Sequence, residues 1–579
     1  MCQAGPSDKT ESKASALSTR EIVIAELAWV LPLGIQQVAS KLCMFGPRLL
    51  VMGMVGRLEG GPLLLSGVGM GSMYNNVFGQ SVILATSFGA TSLLSQAFGA
   101  GNLPLVGVVL QRMILFHFLI LVVMIMPLSL WVEDILLAVG QPSNVSHLVK
   151  RFVLLRLPAI PFVILQQDLN AYLAAQGIAR TPMVCNMIGA LVTLLVAMCL
   201  IRDDALGYDG AALSLTVGEA AIGLVLLFAA PNALPKRGRS STWPRWNLRD
   251  AASGWGEMLL LAAPSTVVVM SEWTGWEISV LMAGWLCPSP SSDGAQNGAS
   301  AAGNTLAAGN ASTADASTAA ASAAAASAAA ASTAAECTAL ESFPILSQTM
   351  VVFFLLHFGF SIACGNRVGN LLGEGAPRRA RICALATLAF ALALALCLCV
   401  VLVSMRWHWA SFFLGPATTD AAREVRSQVA AVLPIVAVYI FLDTIGPAWA
   451  HQILFGIGGT ALRIPAVNNF TTFFCCGLLV GHTLAFDAGW GLAGLWCGLV
   501  VGMAAMDGGL LAYVLGVVDW RAIADAARLR VLEGPAAGGQ PAEPDGSLTG
   551  LASSTRGALA SSDSAALEHV TEHGGAEMT

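Results

Sequence analysis

Charge is scarce in this chain: Asp, Glu, Lys and Arg make up 11% of its 579 residues, against 56% hydrophobic ones. Soluble proteins carry about 25% charged residues. The deficit excludes a water-soluble globular domain and, with a mean hydropathy of +0.71, points to a polytopic membrane protein. The net charge of −6 says little, because acids and bases are sorted by membrane side, and nucleic acid is not expected as a partner. No Walker A sequence is present, so ATP does not power the chain directly. No nucleophile motif with partners at sensible positions occurs either, so an enzyme is not expected. The 13 cysteines form no CxxC pair, and those in apolar runs (Cys397, Cys399, Cys475, Cys476) read as small core residues. His357, His451 and His482 lack metal-ligand spacing, so core or interface roles are expected, with no metal and no cofactor. The N-terminal MCQAGPSDKTESKASALSTR lacks the apolar core of a cleavable signal, which leaves the first apolar run to act as the targeting signal.

What the chain does have is apolar runs of spanning length, about 20 residues each for ~30 Å of hydrocarbon. They predict an all-α protein with twelve spans: 22–50, 62–95, 105–131, 148–172, 183–201, 210–230, 257–286, 342–365, 382–405, 428–457, 466–486 and 490–517. Lys236, Arg237, Arg239, Arg245 and Arg249 follow the sixth span, and Arg378, Arg379 and Arg381 follow the eighth. By the positive-inside rule these loops and both termini face the cytoplasm, against a minority signal from Lys150, Arg151, Arg423 and Arg426. The expected organisation is a disordered N-terminus (1–20), an N-lobe (21–231), a cytoplasmic linker (232–256), a C-lobe (257–518) and a disordered cytoplasmic tail (519–579). Within the C-lobe, the Ala/Ser-rich insertion 288–340 reads as unstructured and extracytosolic. The sequons at Asn144 and Asn310 fall on that glycosylatable side, and Cys287 and Cys337 flank the insertion.

The halves echo each other. QAFGAGNLPLVG (Gln96–Gly107) ends the second span and GNLLGEGAPRRA (Gly369–Ala380) ends the eighth, so Gly99 and Gly101 answer to Gly373 and Gly375. GYDGAAL (Gly207–Leu213) answers to GLAGLW (Gly491–Trp496). Matches at the same place in each set of six spans imply a direct repeat: two parallel bundles with a substrate path between or within them.

The seventh span carries Glu272 almost at its midpoint. An acid there costs about 2.5–3.5 kcal/mol on insertion scales, so it faces protein or a water-filled cavity and is a candidate to take up and release a proton. Trp273 and Trp276 beside it could receive an organic cation. Glu277, about 140° away at helical pitch, is a second, separately placed acid. Asp443 lies near the centre of the tenth span between Pro434 and Pro447, prolines that free helical carbonyls. Mid-depth acids of this kind are expected in the second half only. The alternative for both glutamates is interhelical hydrogen bonding as structural glue.

In the first half the polar candidates are Gln36, Gln37, Asn75, Asn76, Gln80, Asp168 and Asn170, for which interhelical hydrogen bonds are the commoner use. Gln36, Asn75, Asn76 and Gln80 remain candidates for a substrate cavity. Asp168 and Arg156 read as a structural pair. Lys41 and Arg48 either snorkel to the surface or attract an anionic substrate.

Several stretches together resemble the multidrug and toxic compound extrusion (MATE) family, particularly its plant and other eukaryotic members, over nearly all of residues 20–517 outside the insertion. SEWTGWE (Ser271–Glu277) is similar to the family's LEWWxFE signature. SQAFGAGN (Ser95–Asn102) followed by GVVLQR (Gly107–Arg112) resembles GQAFGAxN and GVYLQR. AYLAAQGIARTP (Ala171–Pro182), with Tyr172, Gln176 and Pro182, resembles RYLQAQxxxxP. NRVGNLLGEGAPRRAR (Asn366–Arg381), with Arg367, Asn370 and Gly373, resembles RVSNELGAGNPxxAR. The resemblance implies two six-helix lobes and alternating-access export of small organic solutes, driven by a cation gradient. It places Glu272 on the essential seventh-helix acid, Glu277 on its companion and Asp443 on the tenth-helix acid. The proton is the implied coupling ion, with sodium as the other candidate. Two departures stand out: LLVMG (Leu49–Gly53) has no acid where bacterial relatives carry an aspartate, and GIGGTALR (Gly456–Arg463) is a reduced GxxRGxGxQ. The expected protein is a monomeric antiporter in the plasma or vacuolar membrane. A lipid-linked glycan flippase on the same plan and a non-transporting receptor or scaffold are the rival readings.

Overall fold

The computed structural model describes residues 18–59, 61–234, 242–243, 246–286, 338–414 and 420–533, and those residues form helices without a single strand. An all-helical answer is what a bilayer requires, because each span must satisfy its backbone hydrogen bonds internally. Among the described residues eleven helices are long and apolar enough to cross a membrane. In chain order with the remaining span they are α1 (Thr19–Val55), α2 (Ser66–Gly99), α3 (Leu103–Leu130), α4, α5 (Arg180–Leu200), α6 (Tyr208–Ala233), α7 (Met258–Ala283), α8 (Ser342–Gly373), α9 (Pro377–Ser404), α10 (Arg423–Ile457), α11 (Arg463–Asp487) and α12 (Gly491–Val517). The remaining span, α4, is two helices, Ser143–Arg156 and Ile160–Ala175, joined by the 3-10 turn Leu157–Ala159. Pro158 and Pro161 withhold N–H donors there and interrupt the ladder. All twelve expected spans are thereby occupied, six in each lobe.

The halves repeat in detail. Short helices Val132–Ala138 and Arg406–Leu414 occupy the same place in each, between the third and fourth spans. Between lobes, α1 packs on α8 and α2 on α7, so each contact is the image of the other under exchange of halves, while α2 meets its own counterpart α8. The α2–α8 crossing joins the two echoing motifs. A side chain on Gly99 would collide with the Asn370 backbone, and one on Gly373 with the Gln96 backbone. Only glycine permits this close approach, which is how small residues bring membrane helices together. Gln96 fastens the joint, its Nε2 donating to Gly456 O at 2.9 Å and Ile457 O at 2.8 Å.

One expectation is corrected. The tail expected to be unstructured from residue 519 begins with a helix, α13 (Trp520–Glu533), which buries Ala524, Ala527 and Val531. It bonds to both halves: Asn102 Nδ2 donates to Val531 O at 3.1 Å, and Arg528 Nη2 donates to Glu374 O at 3.2 Å. The missed signal was an apolar stripe at helical spacing, Ile523, Ala524, Ala527 and Val531, on an otherwise charged segment. Part of the expected linker is also helical, Leu248–Ala251, and is held against α3 by Arg112 Nε donating to Asp250 O at 3.2 Å. Residues 288–337 of the Ala/Ser insertion, with Cys287, Cys337 and Asn310, lie outside the described residues, while its last three, 338–340, expected to be unstructured, open the helix Thr338–Gly373. Asn144 is exposed in the first turn of α4, although Ser146 of its sequon is fully buried.

Candidate functional site

In the C-lobe, three helices bring carboxyls together. Glu272 comes from the middle of α7, half-buried. Asp443, almost fully buried, sits where α10 widens into a π-helical turn, Thr444–Ala450, whose Pro447 cannot supply a ladder N–H. Asp507 enters from α12 and lies directly against Gly446, where any side chain would occupy the space of its carboxyl. Asp443 is within electrostatic reach of both Glu272 and Asp507. His357 of α8 is its imidazole neighbour, with Nε2 3.8 Å from Asp443 Oδ2. Among the described residues no lysine or arginine forms an ion pair with these three acids. Oδ2 of Asp443 is buried with no hydrogen-bond partner.

Aromatic rings pack beside these acids, Tyr439 within electrostatic reach of all three. Trp276 stands edge-on to Tyr439 (centroids 5.5 Å), Trp496 (5.6 Å) and Phe343 (6.4 Å). Its ring is committed to packing. Trp273 is half-buried against the same core. Glu277 is half-buried and takes no part in the three-acid group.

The N-lobe corrects the expectation that mid-depth acids belong to the second half alone. Glu219 in α6 accepts from Arg156 Nη2 at 2.8 Å and Arg48 Nη2 at 3.0 Å, with Gln80 alongside. Asp168 is fully buried against His117, 2.9 Å from its Nδ1, and Thr86 Oγ1 lies 2.6 Å from the other ring nitrogen. The expected Asp168–Arg156 pair is therefore replaced by two separate ones, because α6 supplies a carboxylate to Arg156 and α3 an imidazole to Asp168. Arg48 does not snorkel; it serves Glu219. Gln80 belongs to this ion network rather than to a cavity. A third buried acid, Glu26 of α1, crosses between lobes to Arg367 Nε (2.7 Å) and Arg379 Nη2 (2.6 Å).

A cavity of about 60 Å³ lies where α1, α2 and α4 face α8 and α10. Gln37 and Lys41 line it, but Gln36, Asn75 and Asn76 do not. One residue of helical rotation decides between Gln36 and Gln37, and sequence alone does not resolve it. Among the other motif residues, Tyr172 is fully buried against Trp243, Gln176 bonds to the Tyr172 carbonyl at 3.0 Å and Pro182 is buried in the first turn of α5.

Profile comparison matches the MatE family over residues 38–199 and 338–479, one block in each half. The chain belongs to the MatE family. Relatives of this MatE chain include Protein DETOXIFICATION 51 of Arabidopsis thaliana, 27% identical over 89% of this chain and 83% of that protein. Multidrug and toxin extrusion protein 1 of Homo sapiens is 26% identical over 80% of this chain and 72% of that protein. Among solved structures, the eukaryotic MATE transporter AtDTX14 superposes with a TM-score of 0.72 at 20% identity, covering 88% of this chain and 100% of that one. An outward-facing multidrug resistance MATE family transporter gives 0.65 at 14% identity over 87% of this chain and 96% of that one. These likenesses support the two-lobe fold. As a MatE protein the chain is a multi-pass membrane transporter and not an enzyme.

Proposed function

We propose that the chain is a secondary active antiporter that exports small organic solutes, cationic or amphipathic, in exchange for protons. The observation carrying this reading is that Asp443 lies within electrostatic reach of Glu272 and Asp507 and that, among the described residues, none of the three has a lysine or arginine partner. Like charges within electrostatic reach of one another in a low-dielectric interior repel when ionised, so a proton on Asp443 relieves its repulsion with the other two. Protonation therefore favours one packing of α7, α10 and α12, and deprotonation another, which is what a ligand with differential affinity for two states does. The names of the relatives, multidrug and toxin extrusion and detoxification, support export of foreign or toxic organic compounds. The flippase reading needs a strongly basic cavity, whereas the interlobe cavity has one charged residue in its lining, Lys41, and Arg48 is engaged by Glu219. We place the protein in the plasma or vacuolar membrane as a single chain without a cofactor.

The test is uptake of a fluorescent organic cation into vesicles under an imposed pH gradient. Wild type should respond to collapse of that gradient, and Glu272→Gln should lose the response while still folding. Uptake by Glu272→Gln that tracks the gradient as wild type does sinks the proposal.

A further inference from the structure

The interlobe cavity is lined by hydrogen-bonding side chains from both halves: Gln37 and Lys41 of α1, Asn170 of α4, Asn366 of α8 and Gln452 of α10. Lys41 is the one charged residue in that lining. Its charged neighbour is Arg48, which repels it and is already engaged by Glu219. Asp168 lies behind Ser87 in the wall, 3.4 Å from its hydroxyl, but is bound to His117. Among the described residues Lys41 forms no ion pair with a carboxylate, a costly state for an ammonium at membrane depth. Two acceptors add to the pattern: Oδ1 of Asn170 and Oδ1 of Asn366 are buried without hydrogen-bond partners. The Asn366 amide is oriented by Nδ2 donating to Ile362 O at 3.0 Å, which leaves its oxygen to accept.

We infer that this cavity is a subsite for an oxyanion group on an amphipathic exported solute, one that also carries a hydroxyl or amino donor. The anion neutralises Lys41, and the adjacent donor serves Asn170 or Asn366. The inference rests on the antiport reading, since it names the chemistry of the cargo. It also gives the two lobes a shared ligand, so that binding draws α1 and α4 toward α8 and α10. The C-lobe acids, on this division, handle protons while the interlobe lysine handles cargo.

Binding of radiolabelled mandelate, a hydroxy-carboxylate, to the purified full-length protein in detergent tests this without any gradient. Lys41→Met should weaken binding about tenfold or more, as expected for a lost charge-assisted hydrogen bond, and Lys41→Arg should largely restore it. Phenylacetate, which lacks the hydroxyl, should bind about fivefold more weakly than mandelate, and Asn366→Ala should shrink that difference. Thermal unfolding of Lys41→Met at or above the wild-type temperature shows that the variant is folded. Equal mandelate affinity in wild type and Lys41→Met, or no mandelate binding by wild type, overturns the subsite. Failure of the antiport reading appears separately, as vesicle transport indifferent to pH with the binding pattern intact.

Discussion

In the N-lobe, Glu219 and Asp168 each have an arginine or histidine nitrogen 2.8 to 3.0 Å away, whereas in the C-lobe Asp443 finds an imidazole at 3.8 Å and otherwise two more acids. The folds of the two bundles are images of one another, so the contrast is not architectural. It lies in which side chains the equivalent helices carry. A compensated acid fixes a shape, because removing either partner strands a charge. An acid left among other acids keeps electrostatic work in hand that a proton can release. One bundle is thereby suited to hold still and the other to respond.

The largest effect should come from breaking the compensated side. Glu219→Gln leaves Arg48 and Arg156 facing each other without a carboxylate, and should cost about 3–5 kcal/mol, read as a lowered melting temperature in detergent. Replacing the N-lobe acid without loss of stability would erase the distinction between the bundles. Next comes Asp443→Asn, which should leave the melting temperature level or raise it while gradient-driven transport falls about 5- to 150-fold, the range of ordinary coupling energies. A large drop in stability instead would mean that Asp443 is as structural as Glu219. The smallest effect tests where the bundles are alike: Gly99→Leu and Gly373→Leu should each cost about 1–3 kcal/mol by overpacking, and by similar amounts because their contacts are reciprocal. Unequal costs would show the joint to be less symmetric than its geometry.

The spans were legible because hydrocarbon thickness sets the length of an apolar run, and even the broken α4 reads as one run. The lone acids Glu272 and Asp443 were legible for the same reason, and Asp507 could have been: it stands in GMAAMDGGLLA, inside the twelfth span, by the same rule. Glu219 was equally visible as an acid in an apolar run, but its compensation was not. Its partners Arg48 and Arg156 lie 171 and 63 positions away in sequence, and a sequence carries no sign of which distant helix will supply a counter-charge. The interlobe contact of Glu26 with Arg367 and Arg379 is hidden for the same reason. Trp276 illustrates a third kind of gap: its position beside Glu272 suggested a ligand face, but the rings of Tyr439, Phe343 and Trp496 arrive from other helices and claim it.

The helix that follows the last span has a mechanical consequence. Since α13 is tied to Asn102 on one side and Glu374 on the other, parting the bundles at this end obliges it to let go of at least one. Its grip acts as a preload, a constant added to one arm of the balance between the arrangements of the two bundles. Tightening or loosening those few bonds would reset the resting position of the transporter without touching a single residue along the transport path.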